Sequence, residues 1–269
     1  MIIILVGSGS MEKRSKTMQI VIPMAGAGKR FTNAGYKDPK PFIPIKEKPM
    51  IQWVIENLYF PMYDVTFNFI VQQDHREKYD FDSKIYSIIK NCYDTETADR
   101  TNIIGINYIT EGAACTVLKA RGIINTAQSL LIANSDQFID WHIPLFIQGI
   151  NRTDADGCIP VFHATHPKWS FAELDEIGNV VRVREKEPIS TYATVGIYWF
   201  KCGEDFVWAA DEMINKNLRV NNEFYVCPTY NELIIPRNKK ILTFPIPTFA
   251  MHGLGTPEDL EEFKKLYQN

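Results

Sequence analysis

The stretch Gln19-Ile20-Val21-Ile22-Pro23-Met24-Ala25-Gly26-Ala27-Gly28-Lys29-Arg30-Phe31 carries the reading of the fold. Gln19–Pro23 is a short, β-branched run, a strand, and it ends in a loop with Gly-x-Gly spacing. Glycine permits positive φ and close approach, so backbone N–H groups of this loop can close on phosphate oxygens. Gly-x-Gly alone also fits a plain strand-to-loop turn. A dinucleotide-binding loop needs a third glycine where Phe31 stands, and the amphipathic helix comes too late to receive a pyrophosphate. Arg30 shifts the balance, because a guanidinium beside a glycine nest can grip a triphosphate bidentately. Farther on, Asp38-Pro39-Lys40-Pro41-Phe42-Ile43-Pro44-Ile45 fixes Lys40 between two prolines on a rigid, extended segment. Such rigidity suits a positioned ammonium.

Outward from this stretch, short β-rich runs alternate with amphipathic segments. Pro49–Tyr59 reads as a helix with Met50, Val54, Ile55 and Leu58 on one face. Phe67–Val71 is a strand, Lys78–Cys92 a helix with Ile85, Ile88, Ile89 and Cys92 inward, and Asn102–Ile109 a strand. Ala113–Ile124 is a helix and Ser129–Ala133 a very apolar strand. After about Asp156 the character changes: Cys158–Ala164, Phe171–Leu174, Val180–Arg184 and Ala193–Phe200 are hairpin-like strands. Helices near Asp205–Ile214, Pro228–Leu233 and Pro257–Tyr267 surround a last strand at Lys240–Phe244. The expectation is an α/β fold, three layers α/β/α, Rossmann-like, with a mixed, mostly parallel central sheet. No repeat or linker divides it, so residues 18–269 read as a single domain in two halves, about 18–155 and 156–269. Residues 1–17 read as an extension, disordered or started upstream of the fold. Its Met1–Val6 is too short for a signal-peptide core, and Gly7-Ser8-Gly9 imitates a phosphate loop with no helix pattern after it.

The composition excludes several classes. With 269 residues, 45% hydrophobic and 23% charged, and a formal net charge of -3, the chain lacks the basic field of a general nucleic-acid binder. Any phosphate-binding charge is therefore local. No apolar run approaches the roughly 18 residues needed to cross a bilayer. Cys92, Cys115, Cys158, Cys202 and Cys227 are scattered and odd in number, as for free thiols in a reducing cytoplasm.

The run from Met24 to Ile51, with G-x-G-x-R-F, then P-K-P-F-I-P-I, then K-P-M-I, resembles the signature of sugar nucleotidyltransferases (nucleoside-diphosphate-sugar pyrophosphorylases). The glucose-1-phosphate thymidylyltransferase branch has very similar spacing. The likeness continues to about Leu260 and implies a nucleotide-diphospho-sugar transferase-like fold. It implies that Gly26, Gly28 and Arg30, with Ala25, Ala27 and Lys29 of the same loop, hold the NTP phosphates. Lys40 would bridge the α-phosphate and the incoming phosphate. Thr110-Glu111-Gly112-Ala113-Ala114-Cys115 matches the family's nucleobase turn, where Gly112 lets the base pack on backbone and Glu111 can read a base edge. In Leu130-Leu131-Ile132-Ala133-Asn134-Ser135-Asp136-Gln137-Phe138 an apolar strand delivers Asp136 to its carboxyl end, where the family binds Mg²⁺. Val183-Arg184-Glu185-Lys186-Glu187-Pro188 resembles the acceptor element, with Glu185 and Lys186 toward sugar hydroxyls and phosphate. Gly196 would floor the sugar pocket, and Glu223 is a further acceptor contact. No role falls to His163 or His166.

One position departs from the pattern. Met251-His252-Gly253-Leu254-Gly255-Thr256-Pro257-Glu258-Asp259-Leu260 has Gly253 where the family often carries a second metal-binding aspartate. Water, the imidazole of His252, or a metal held mainly by Asp136 and the NTP are the alternatives; nitrogen is softer than Mg²⁺ prefers. The expected partners are an NTP and a phosphorylated small-molecule acceptor, probed best with sugar 1-phosphates, without nucleic acid or membrane; assembly into a homo-oligomer is left open. Three other readings remain at this point: transfer to a non-sugar phosphate such as phosphocholine or a phosphonate, a glycosyltransferase of related architecture, and a non-catalytic nucleotide-binding module.

Overall fold

The computed structural model describes residues 16–60 and 63–266. Residues 1–15 of the expected extension lie outside the described residues, and its last two, Lys16 and Thr17, belong to the first strand instead. β1 (Lys16–Pro23) leads through the Gly-rich loop into α1 (Lys29–Asn33), a hairpin of β2 (Pro44–Ile45) and β3 (Lys48–Pro49), and α2 (Met50–Asn57). β4 (Tyr63–Gln72), α3 (Gln73–Lys78), α4 (Phe81–Cys92), α5 (Thr95–Asp99) and β5 (Asn102–Ile106) follow. Next come α6 (Ala113–Val117), α7 (Arg121–Ile124), β6 (Ser129–Ala133), β7 (Gln137–Ile139) and α8 (Ile143–Asn151). Then β8 (Gly157–His163), β9 (Ser170–Leu174), β10 (Val180–Glu185), β11 (Tyr192–Thr194) and β12 (Ile197–Phe200) succeed one another. The chain closes with α9 (Gly203–Asn215), α10 (Thr229–Arg237), β13 (Ile241–Pro245), β14 (Met251–Gly253) and α11 (Pro257–Leu266).

The central sheet has 10 strands in the order β10-β9-β11-β8-β12-β6-β1-β4-β5, with β13 alongside β8. It is mixed. Parallel ladders join β6, β1, β4 and β5, and β13 to β8. The antiparallel ladders gather in the second half, and one of them, β12 on β6, joins the two halves. Strand alternation builds the layers. Met18, Ile20 and Ile22 of β1 pack with Ile51, Val54 and Ile55 of α2, Phe81, Ile85 and Ile89 of α4, and Phe146 and Ile150 of α8. Val21 points the other way, into a core with Ile124 of α7, Phe206 and Ala210 of α9, and Tyr230 and Leu233 of α10. Each such buried side chain contributes about 1.5–3 kcal/mol by leaving water. Helices on both faces of one sheet make the three expected layers.

A smaller cluster matters more for function. Phe31, Ile43, Ile45 and Met50 pack with Leu254, Leu260 and Phe263, so the C-terminal helix clamps the arm that carries Arg30 and Lys40.

Several boundaries differ from the sequence reading. Asp80, at φ 51, separates α3 from α4, so α4 starts at Phe81 rather than Lys78. The expected single strand over 193–200 is two, β11 and β12, parted at Val195 and Gly196 where φ is 82. A 3-10 turn at Leu118–Ala120 interrupts the expected helix over 113–124. α8 has no counterpart in the sequence reading, although Ile143, Phe146, Ile147 and Ile150 fall at helical spacing and are buried.

Candidate active site

The carboxyl ends of β1, β4 and β6 open onto one cleft. After β1 the chain is held down by Met24 N–H donating to Ile70 O at 2.7 Å. Gly28 turns with φ 61 and caps α1, while buried Phe31 anchors the helix to the C-terminal cluster. The five residues of α1 thus follow the loop at once, which corrects the expectation of a helix arriving only later. A Cβ built on Gly26 would meet nothing within 4 Å, so the open face there is room for a ligand rather than a packing requirement. Ala25 is buried, Ala27 and Arg30 are exposed and line the cleft, and Lys29 is exposed but lines neither cavity.

Lys40 sits in a 3-10 turn, Lys40–Phe42, entered from Pro39, instead of the extended segment expected. Pro39 and Pro41 still fix its backbone, and its ammonium forms an ion pair with Asp136. Asp136 follows β6 and is held by its carbonyl, which accepts from Leu254 N–H at 2.7 Å. Arg30, Lys40 and Asp136 all line one cavity of about 570 Å³. An adjoining cavity of about 520 Å³ is lined by Gly26, Ala27, Gly28, Gln72 and Ala113. The two share Gly26, Lys40, Ala113, Asn134, Asp136 and Tyr225 and form one continuous cleft.

Glu185, Lys186, Gly196 and Glu223 line the larger cavity together with Arg30 and Lys40. Glu185 is buried and accepts a hydrogen bond from Ser170 Oγ. Burial pushes its carboxyl up, against the opposing pull of Ser170 and Lys186. Lys186 adopts a left-handed conformation, φ 57, which turns its ammonium to donate to the Tyr225 hydroxyl at 2.5 Å. Burial and nearby Glu223 push the Tyr225 phenol up, and Arg30 opposes them. Gly196 takes φ 82, a left-handed conformation that favours glycine, and a Cβ there would stand 2.5 Å from Asn134 Nδ2.

The base turn is built differently from the sequence reading. Glu111 is turned outward and pairs with Arg219 at 3.0 Å, whose guanidinium lies 4.2 Å over the Phe224 ring. Gly112, at φ 124, makes room for backbone, since a Cβ would stand 2.5 Å from both N and O of Phe224. Ala113 is the part of this turn that reaches the cleft wall. His252 alternates away from the cleft on β14 and packs against Phe138 and Phe263, with burial holding its imidazole below the ordinary value. It is not placed to replace a missing carboxylate.

Gln72, Ser170, Lys168 and Tyr225 line the cleft without having been singled out from sequence. Only Gln72 carried a signal, its place at the end of an apolar strand; the others depend on long-range packing. For a divalent cation, the donor set is a carboxylate beside a bare glycine: a Cβ on Gly255 would lie 3.1 Å from Asp136 Oδ2. Hard oxygen with space around it fits Mg²⁺. Among the described residues no group of three or more His, Cys, Asp or Glu could hold a metal unaided, so phosphate and water oxygens would complete its shell.

Among the described residues, no helix is long and apolar enough to cross a membrane. No curated protein matches the chain significantly. Among solved structures, the nucleoside-diphosphate-sugar pyrophosphorylase from Vibrio cholerae RC9 is similar over 91% of this chain and 99% of its own, with 27% identity and a TM-score of 0.76. A UDP-glucose pyrophosphorylase complexed with UDP-glucose is similar over 93% and 98%, with 16% identity and a TM-score of 0.73. The inositol-1-phosphate CTP transferase from T. maritima is similar over 93% and 94%, with 11% identity and a TM-score of 0.69. At those identities the last two speak to the fold alone. The profile of the nucleotidyl transferase family matches residues 19–224, most of the chain and every strand of the parallel half. The chain therefore belongs to the nucleotidyl transferase family.

Proposed function

We propose that the enzyme transfers a nucleoside monophosphate from an NTP to a sugar 1-phosphate, giving an NDP-sugar and pyrophosphate. The observation that carries this reading is the convergence of Arg30, Lys40 and Asp136 with Glu185 and Lys186 in one cleft. An oxygen of the acceptor phosphate forms the new bond to the α-phosphorus. The bond from that phosphorus to the bridging oxygen breaks, and pyrophosphate leaves with the electron pair. The nucleophile is already an anion at neutral pH, so no general base is needed. The work of the protein is to hold two repelling anions in line and offset the charge that develops.

In this reading the loop Ala25–Arg30 takes the triphosphate, with Arg30 on the β- and γ-phosphates. Lys40 leaves Asp136 and bridges the α-phosphate and the acceptor phosphate. Glu185, Lys186, Gly196 and Glu223 hold the acceptor. Asp136 with the NTP oxygens would hold Mg²⁺, which when bound supplies charge neutralisation at the phosphates. Residues 18–155 form the nucleotide half and 156–269 the acceptor half of one domain, working in the cytoplasm.

The test is a matrix of NTPs against sugar 1-phosphates, with phosphocholine and an alkylphosphonate as non-sugar acceptors, read as pyrophosphate release in Mg²⁺. Release with a sugar 1-phosphate is expected. Release only with a non-sugar acceptor would move the reading to that class. NTP binding with no release from any pair would leave a nucleotide-binding module, and sugar transfer from an NDP-sugar would make it a glycosyltransferase.

A further inference from the structure

Gln72, at the carboxyl end of β4, lines the cavity of about 520 Å³ beside the Gly-rich loop. It is only 9% exposed. Its amide Nε2 donates to Ala25 O at 2.6 Å and to Tyr108 O at 3.2 Å. Both partners are carbonyls and cannot donate, so the amide cannot be turned around and Oε1 is fixed as the opposite edge. Oε1 has no hydrogen-bond partner among the described residues. The sealed, unpartnered side-chain polar atoms among those residues are Arg100 Nε and Gln137 Oε1. Gln72 Oε1 is not one of them and opens onto the cavity.

A rigid, acceptor-only atom selects for a ligand N–H or O–H. Phosphate oxygens carry no proton to offer near neutral pH, and the cleft's cations serve them. The two carbonyls that hold Gln72 come from the Gly-rich loop and from the segment after β5, so its side chain ties these two walls of the cavity together. The open face of Gly26 lets a flat ring lie against that loop. We infer that Gln72 Oε1 accepts a hydrogen bond from an N–H on the base edge of the bound nucleotide and is a determinant of base selectivity. This rests on the nucleotidyl-transfer reading. The ribose hydroxyls are the other donors of the same chemistry, and the test separates them.

The test compares the NTP that supports turnover with its counterpart methylated on the base nitrogen: 3-methyl-UTP, N4,N4-dimethyl-CTP, N6,N6-dimethyl-ATP or 1-methyl-GTP. Wild type should lose about 10- to 100-fold in kcat/KM on methylation. In Gln72→Ala, which removes the acceptor and leaves room for the methyl group, the pair should agree within about twofold. Should Gln72→Ala fail to fold by thermal melt, Gln72→Val, which also lacks the acceptor and is shorter than glutamine, carries the same comparison. The inference is overturned if methylation costs wild type nothing, or if the loss persists undiminished in the folded variant. It is equally overturned if 2′- or 3′-deoxy-NTPs, rather than the methylated bases, show the loss that the variant relieves. If wild type releases no pyrophosphate from any pair, the transfer reading fails by itself, and calorimetric binding of the same NTP pairs still decides on Gln72.

Discussion

Lys40 and Asp136 are both partly exposed, 21% and 29%. A pair so wetted adds roughly 0–1 kcal/mol to stability. Their effect on chemistry is expected to be far larger. Lys40→Ala or Asp136→Ala should lower kcat by about 10²- to 10³-fold, the scale for losing one charge-stabilising group. The melting temperature should stay within a few degrees. Near-normal pyrophosphate release by either variant would refute the assignment. Glu185 makes the opposite kind of statement. Burial raises its carboxyl above the ordinary value in the folded protein. A raised group contributes its full stability below the ordinary glutamate range and loses it as pH rises through the folded value. Glu185→Gln should therefore match wild type at the acid end and become the more stable of the two toward pH 8, while acceptor KM rises. Parallel urea titrations across that range check the first point, and steady-state kinetics the second. Burial also pushes the Cys158 thiol up to about 12. It should resist alkylation in the native protein and react on unfolding.

The turn before α6 is stitched to the chain before α10. Phe224 N–H donates to Glu111 O at 2.7 Å, and Ala114 N–H donates to Phe224 O at 3.0 Å. A methyl group on Gly112 has no place between these strands of backbone, and the residue also needs φ 124. Gly112→Ala should cost about 1–3 kcal/mol from strain alone, read as a lowered denaturant midpoint, and weaken NTP and acceptor together. From the sequence, β6 is legible residue for residue, because Leu130–Ala133 is an apolar run too short for a buried helix and suited to a buried strand. The break at Gly196 is not legible. There Val195 N–H donates to Pro160 O and Gly196 O accepts from Asn134 N–H, contacts that only the assembled sheet supplies. Arg30, Lys40 and Asp136 are legible as a set because each sits at the end of a recognisable local pattern. Tyr225 is not, since only the fold brings it to Lys186. His252 misleads for a local reason: strand alternation sends adjacent side chains to opposite faces, and Gly253 holds the cleft side.

At the scale of the molecule, the two halves share one hydrogen-bonded sheet. Ile197–Phe200 of the second half pairs with Leu130–Ala133 of the first. The halves should therefore unfold together, with tryptophan emission and far-UV circular dichroism giving coincident transitions. Trp53 and Trp141 report on the first half, and Trp169, Trp199 and Trp208 on the second. Two separate midpoints would show independent halves. The same continuous ladder has a mechanical consequence. A molecule without a waist cannot bite down on its cargo as a clamshell does, so any sealing of the chamber falls to its rim: the glycine loop, the turn at 108–113 and the stretch at 223–226. Scattering curves with and without ligand should then superimpose.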